Sequence, residues 1–481
     1  MVHDSFTAPL LRAVSVFVSA CFLCALLATP ASAVPKASDF ERPVALPAYN
    51  GAARAAGARE LTIDPGREFE LAGFRWRGTG VPTLTLRSYG GSGWSSWAAL
   101  EANDKDGPDP HSLISERSLQ SSDPVWTGRA WKLQVRVGGR GFHDFRAHFV
   151  HVTGGDGARV AATGGAAPGQ TLSSSPGRSA ADAPPIVPRA DWGGNSCKPR
   201  FSPGYGEILG GVVHHTESTN SYSRDQAASV VLGICRYHRN SKGWNDIGYN
   251  LLIDRFGTVY EGRAGGVDRA VIGAHAQGYN SQTTGVALIG GFMSTDPPAE
   301  AIASLRQVLE WKLGLAGMTR NERVALISTG GGFNKYPWGK TVFTRPVAGH
   351  RDLDSTDCPG NVLYGKLTEL ASFLTGGSRP ATKTNIRLKR ITQGNGQVVS
   401  VAGRLRSGGK GVAGKTVIVQ AYTAKGWVPL ANATTDATGL WQTTVAPKGR
   451  YYMRGNFEGT DDLRPVRSLW LYSPKIKRPT Q

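Results

Sequence analysis

Cysteine is scarce in this chain: five in 481 residues, at positions 21, 24, 197, 235 and 358. So few exclude a disulfide-dense scaffold, and they do not supply the two paired sets of ligands that a zinc finger needs. After residue 33 there is no apolar run of the roughly 20 residues that a membrane-spanning helix requires. Negative charge is also short, with 36 Asp and Glu against 55 Lys and Arg, a net of +19. A surplus of that size suits a polyanionic surrounding, either nucleic acid or a bacterial wall with anionic polymers. A long basic helix and an RNP-like signature are both missing, so no nucleic-acid partner is expected. The positive charge is spread along the chain, and it also serves solubility.

The N-terminus points to the wall. Arg12 precedes the apolar run AVSVFVSACFLCALLA (13–28), and Ala31-Ser32-Ala33 follows. This is the pattern of a secretory signal peptide, expected to span 1–33. Val18-Ser19-Ala20-Cys21 resembles a lipoprotein box, but the apolar run continues past Cys21, which favours cleavage after Ala33. The mature protein is expected to be secreted, extracellular or wall-associated. Three cysteines then remain. One disulfide plus one thiol with another task is the economical reading in an oxidising compartment. Cys197 and Cys235 stand closest in sequence and are paired. That leaves Cys358, in GHRDLDSTDCPG (349–360), beside His350. Its partner is either another cysteine or a metal.

At this length, several domains are expected. Residues 154–185 are rich in Gly, Ala, Ser and Pro and read as a flexible linker, and 376–384 as a shorter one. In 37–153, short strand-like segments such as FELAGFRW and TLTLRSYG lie between turns, suggesting a β-sandwich-like domain. Its tryptophans 76, 94, 97, 126 and 131 are read mainly as packing, with sugar stacking as the rival. Residues 385–475 show the same pattern and loosely resemble the immunoglobulin-like modules of bacterial surface proteins. The middle, 186–375, alternates strands and helices. EILGGVVHH (207–215) and TTGVALIGGF (283–292) read as buried strands, and 248–263 as two strands about an Arg-Phe-Gly turn. Residues 223–240, 297–317 and 361–374 carry helical spacing. The expected architecture is a central α/β domain, its mixed sheet flanked by helices, between two β domains. GGGFNKYPWGKT (330–341) fails as a phosphate loop, because six residues separate Gly332 from Gly339 where four are required. It reads as a hairpin insertion.

His214 and His215 end a strand, so their side chains point to opposite faces. Only one can serve a given site. Catalytic zinc sites use three protein ligands and leave a fourth position to water. Two imidazoles and one thiolate would meet that count, and metal would shield the thiolate from oxidation. The spacing of His350 and Cys358 alone does not decide the matter.

Four segments in order decide more: GGVVHHTES, KGWNDIGYNLLIDRFGTVYEGR, IGAHAQGYNSQTTGVALIG and GHRDLDSTDCPG. Together they resemble peptidoglycan recognition proteins, which share a domain with zinc-dependent N-acetylmuramoyl-L-alanine amidases. The resemblance covers about 186–375. It implies zinc in a cleft, held by His214, His350 and Cys358, with His215 turned away into packing. It also implies that Tyr249 stands beside the metal, and that Thr356 occupies the place of a lysine in phage enzymes. His238, Lys242, Gly243, Trp244, His275 and Asn280 would line the muropeptide groove. Gly243-Trp244 accompanies preference for diaminopimelate at the third stem position. Asp352, Asp354 and Asp357 are read as turn-formers, with Asp354 or Asp357 as a minor option for a base. The implied activity is hydrolysis of the amide between N-acetylmuramic acid and L-alanine. The alternative is a recognition module that binds peptidoglycan without cutting it.

Overall fold

The structure is a computed structural model. It describes residues 34–48, 57–102, 106–110, 119–154, 183–318, 320–374, 380, 382–423, 426–468 and 470–476. The expected signal segment and almost all of the first expected linker lie outside these residues. The second expected linker ends in structure: Thr382–Thr384 is a strand antiparallel to the segment from Leu405 to Ser407.

Residues 36–153 build one antiparallel network of eight strands. Alternation sets its inside, as in Thr83–Gly90, where Leu84, Leu86 and Ser88 are buried and their neighbours are not. A β-sandwich-like domain was the expectation; its strands are hydrogen-bonded continuously, because the 14-residue strand Val125–Gly138 pairs with Ala58–Ile63, Phe69–Gly78 and Thr83–Gly90. Phe69, Phe74, Leu133, Val135 and Phe149 fill the core of the domain. Trp76 and Trp126 are buried as packing, whereas Trp94 and Trp131 are exposed.

The middle region carries a six-stranded mixed sheet. Its order is Val347–Gly349, Gly211–His215, Thr284–Leu288, Leu251–Ile253, Val259–Glu261 and Ile186–Val187. The first four strands run parallel, and Val259–Glu261 is antiparallel to Leu251–Ile253. Parallel strands buried on both faces read as continuous apolar runs, as GVVHH and TGVAL do. One face packs on the Ala227–Asn240 helix, whose inner side carries Val230, Val231, Ile234 and Cys235. Ser223 and Gln226 form a capping box ahead of it, satisfying backbone donors that the first turn leaves open. The other face packs on the helices Ala299–Leu315 and Asn361–Leu370. Val324–Ile327 and Thr341–Thr344 pair antiparallel, so GGGFNKYPWGKT lies in a hairpin connection.

Residues 382–472 form two antiparallel five-stranded sheets over a separate core containing Val399, Val401, Val417, Val419, Trp441 and Met453. Among the described residues, no helix is long and apolar enough to cross a membrane.

Candidate metal centre

The site forms where parallel strands end. His214 is in register with Ala287, and His215 with Leu288. Ala287 belongs to the core under the Ala227–Asn240 helix and Leu288 to the opposite core, so the two histidines face opposite sides. His215 is buried, its Nδ1 accepting from the Phe292 N–H at 3.2 Å. On the neighbouring strand Val213 is in register with Gly349, and His350 follows directly. The His214 and His350 rings therefore lie 4.6 Å apart, centroid to centroid. Cys358 returns to the same point just ahead of the Asn361–Leu370 helix, its Sγ 3.6 Å from His214 Nδ1.

One donor atom from each of His214, His350 and Cys358 lies within 4.8 Å of the others, and all three residues are buried. The outer nitrogens are already engaged. His214 Nε2 is 3.1 Å from His275 Nδ1, and His350 Nε2 is 2.9 Å from Asp354 Oδ2. Such partners fix the ring and leave Nδ1 for a metal. His350 Nδ1 is buried and makes no aligned hydrogen bond among the described residues, although a carboxylate oxygen of Asp106 lies 3.1 Å away. Burial pushes the His214 pKa well down, and His350 and His275 push the same way, so its imidazole is neutral, as a ligand must be. Burial also pushes the Cys358 thiol well above its ordinary value. A thiolate there needs a neighbouring cation, and a metal would supply one. The donor set fits zinc.

His275 reaches His214 because its ring lies against two glycines. A Cβ on Gly285 would stand 2.3 Å from His275 Cγ, and one on Gly273 would stand 2.4 Å from Cδ2. Tyr249 is buried beside His214, ring centroids 5.3 Å apart. Thr356 Oγ1 accepts from the Cys358 N–H at 3.1 Å and so braces the thiol loop.

The residues expected in the groove divide into two sets. His238 accepts the Gly248 N–H on Nδ1 at 3.1 Å and packs at a tilt against Trp244, ring centroids 4.5 Å apart; both are fully enclosed. His238 sits on the inner side of its helix, which places it in packing rather than along a groove. His275, likewise, stands behind the metal ligands. Gly243 has φ +81°, forming the turn between Lys242 and Trp244. Lys242 and Asn280 are buried as well, and both are met by the N-terminal domain. Lys242 Nζ donates to Asp123 at 2.9 Å, and Asn280 Nδ2 donates to Asp109 Oδ1 at 2.7 Å. Cys197 and Cys235 form a disulfide, and Cys358 is free.

Sequence reasoning missed three groups here. Asp354 is fully buried on His350, a positioning role rather than a turn role. His275 as a partner of His214 was the second. The third is Asp106, whose Oδ2 accepts the Tyr249 hydroxyl at 2.8 Å and whose Oδ1 is 3.1 Å from His350 Nδ1. Burial, offset mainly by His350, pushes the Asp106 carboxyl up to about 7.

Such a sheet, with two imidazoles and a thiolate brought together at one end, defines an α/β domain with a candidate metal centre. Residues 204–361 match the family model described as N-acetylmuramoyl-L-alanine amidase. Residues 29–169 match the one described as Rv3811 N-terminal galactose-binding domain-like. Peptidoglycan-recognition protein SC1a of Drosophila melanogaster is 30% identical over 183 residues, 38% of this chain and 83% of that protein. An N-acetylmuramoyl-L-alanine amidase of Homo sapiens is 31% identical over 212 residues, 43% of this chain and 32% of that one. A solved structure, peptidoglycan recognition protein-LE in complex with tracheal cytotoxin, is 28% identical with a TM-score of 0.31. It covers 38% of this chain and 92% of its own. The chain belongs to the peptidoglycan recognition protein and N-acetylmuramoyl-L-alanine amidase family.

Proposed function

We propose that the protein is a secreted, zinc-dependent N-acetylmuramoyl-L-alanine amidase acting on bacterial peptidoglycan. The observation that carries this reading is the convergence of the His214, His350 and Cys358 donor atoms within 4.8 Å. Binding without cleavage would not require a complete ligand set. Bound zinc would lower the pKa of a water to about 7 and polarise the scissile carbonyl. The chain's own residues do the rest. Asp354 and His275 hold the two imidazoles in the ligating tautomer. The Tyr249 hydroxyl, beside His214, donates to the oxygen on which negative charge develops. Burial pushes its pKa well up, so it remains a donor. Thr356 keeps the Cys358 loop in place. Lys242 and Asn280 offer a cation and an amide to a stem peptide. The extra carboxylate of diaminopimelate would suit Lys242, with Gly243 and Trp244 setting its position. The surplus of positive charge would favour anionic wall polymers as surroundings, and the C-terminal two-sheet domain is read as an immunoglobulin-like module.

The test is mass spectrometry of purified peptidoglycan after long incubation with the protein, with and without chelator, beside metal analysis. The expected result is one zinc per chain and chelator-sensitive release of stem peptides with a free L-alanine amine. The Cys358→Ser variant should lose both metal and release, because a hydroxyl does not ionise near neutrality. Stem-peptide release by a metal-free protein, or a zinc-loaded protein that only binds, would sink this reading.

A further inference from the structure

A segment of the N-terminal domain lies across the metal centre. Asp106 brings one carboxylate oxygen to 3.1 Å from His350 Nδ1 and 3.8 Å from His214 Nδ1. Its other oxygen takes the Tyr249 hydroxyl. Gly107 O accepts from Asn280 Nδ2 at 2.8 Å, and Pro108 O accepts from Gln277 Nε2 at 3.4 Å. Asp109 Oδ1 then accepts from the Gly278 N–H and from Asn280 Nδ2, each at 2.7 Å. Four consecutive residues thus use the donors that a bound peptide would need.

The distances discriminate between two roles for Asp106. Ligand atoms around tetrahedral zinc, with bonds of about 2.0–2.1 Å, stand roughly 3.3 Å from one another. The Asp106 oxygen is close to that spacing from His350 Nδ1, at 3.1 Å, and about half an ångström beyond it from His214 Nδ1, at 3.8 Å. A general base would stand one water further out. Its second oxygen also consumes the Tyr249 donor, as a scissile carbonyl would. A fourth protein ligand closes a zinc site, whereas catalytic sites keep that position open.

We infer that Asp106–Asp109 is a built-in occupant of the substrate cleft, with the Asp106 carboxylate at the fourth metal position, so that the folded chain is latent until this segment is displaced. This rests on the metal reading of His214, His350 and Cys358.

The test uses the full chain loaded with Co²⁺, whose visible spectrum reports its ligands, together with cleavage of a disaccharide tetrapeptide by the zinc form. The parent should show a thiolate-to-metal charge-transfer band that Cys358→Ser abolishes. Lack of that band in the parent would remove the metal reading itself. Asp106→Asn should keep the band and alter the rest of the Co²⁺ spectrum. Its kcat/KM should rise about tenfold or more, as the competent fraction rises. A spectrum unchanged by Asp106→Asn, or a rate that stays level or falls, overturns the inference while the metal reading stands. Asp109→Asn loosens the same segment away from the metal and covers failure of the first variant to fold. It should raise the rate severalfold, and a level or lower rate overturns the inference equally.

Discussion

The two β domains meet the middle domain by different physics. The N-terminal domain shares a core with it: Leu71, Trp126, Val150 and Val152 pack in one apolar cluster with Val230, Ile234 and Tyr237 of the Ala227–Asn240 helix. The C-terminal domain keeps its own core and docks mainly through charge, with one edge-to-face aromatic contact between Trp338 and Trp470 at 5.6 Å. Glu207 is met by Arg454 at 2.6 Å and by Arg467 at 2.7 Å, and Arg464 lies 3.5 Å from Glu322. Apolar burial is non-directional and scales with area, whereas an ion pair must offset the desolvation of both partners. The N-terminal domain is therefore expected to fold and melt with the middle domain. The C-terminal domain is expected to separate on its own.

The largest effect should follow from cutting the shared core. Trp126 is 2% exposed and faces the helix at Gly233. Trp126→Ala is expected to cost about 3–5 kcal/mol. In calorimetry, one transition for the N-terminal and middle domains together should move down. If the middle domain kept its parent transition, the two cores would be independent and the contrast would fail.

Next in size is the ionic junction. Glu207→Ala strands the Arg454 guanidinium, which is buried and retains Gln420 at 2.8 Å. The docking loss should be about 2–3 kcal/mol, read as a separate, earlier C-terminal transition with the metal content unchanged. Acid should act at the same place and more mildly. Burial works to raise the Glu207 pKa, but Arg454 and Arg467 outweigh it and hold it below its ordinary 4.5. A depressed carboxylate contributes its stability above the unfolded-state value and loses it as pH falls through the folded one. Docking should therefore be constant down to about pH 4.5 and weaken below. Small-angle scattering across that range should show expansion in the parent beyond any seen for Glu207→Ala. Equal profiles would remove Glu207 as the cause.

The sequence carried the middle domain well and its covering poorly. His214 and His350 end apolar strands, and the helices announce themselves by period, so local pattern reached both. His238 misled because a motif gives the residue type but not whether a helix turns it inward. Asp106 was illegible. It sits in a stretch of Asp, Gly and Pro that reads as a turn, and only tertiary packing carries it more than a hundred positions to His214 and His350. The continuous pairing of the N-terminal strands was hidden for a similar reason, since strand pattern does not reveal that Val125–Gly138 has three partners.

The smallest predicted effect isolates a polar contribution within the apolar junction. Tyr237 lies over Gly73, where an added Cβ would meet its hydroxyl at 2.3 Å. That hydroxyl is within reach of Phe74 O at 3.2 Å and Ser122 O at 3.1 Å, and its one proton serves either in turn. Phe74 O also accepts from the Ser122 N–H at 2.8 Å, so removing the hydroxyl leaves that carbonyl satisfied. Tyr237→Phe keeps the ring and its burial. Its cost should be about 1 kcal/mol, a fraction of that for Trp126→Ala. Urea unfolding with an unchanged slope would read this directly. A loss approaching that of Trp126→Ala would mean that hydrogen bonding, not apolar area, binds the N-terminal domain to the helix, and the distinction between the two junctions would have to be redrawn.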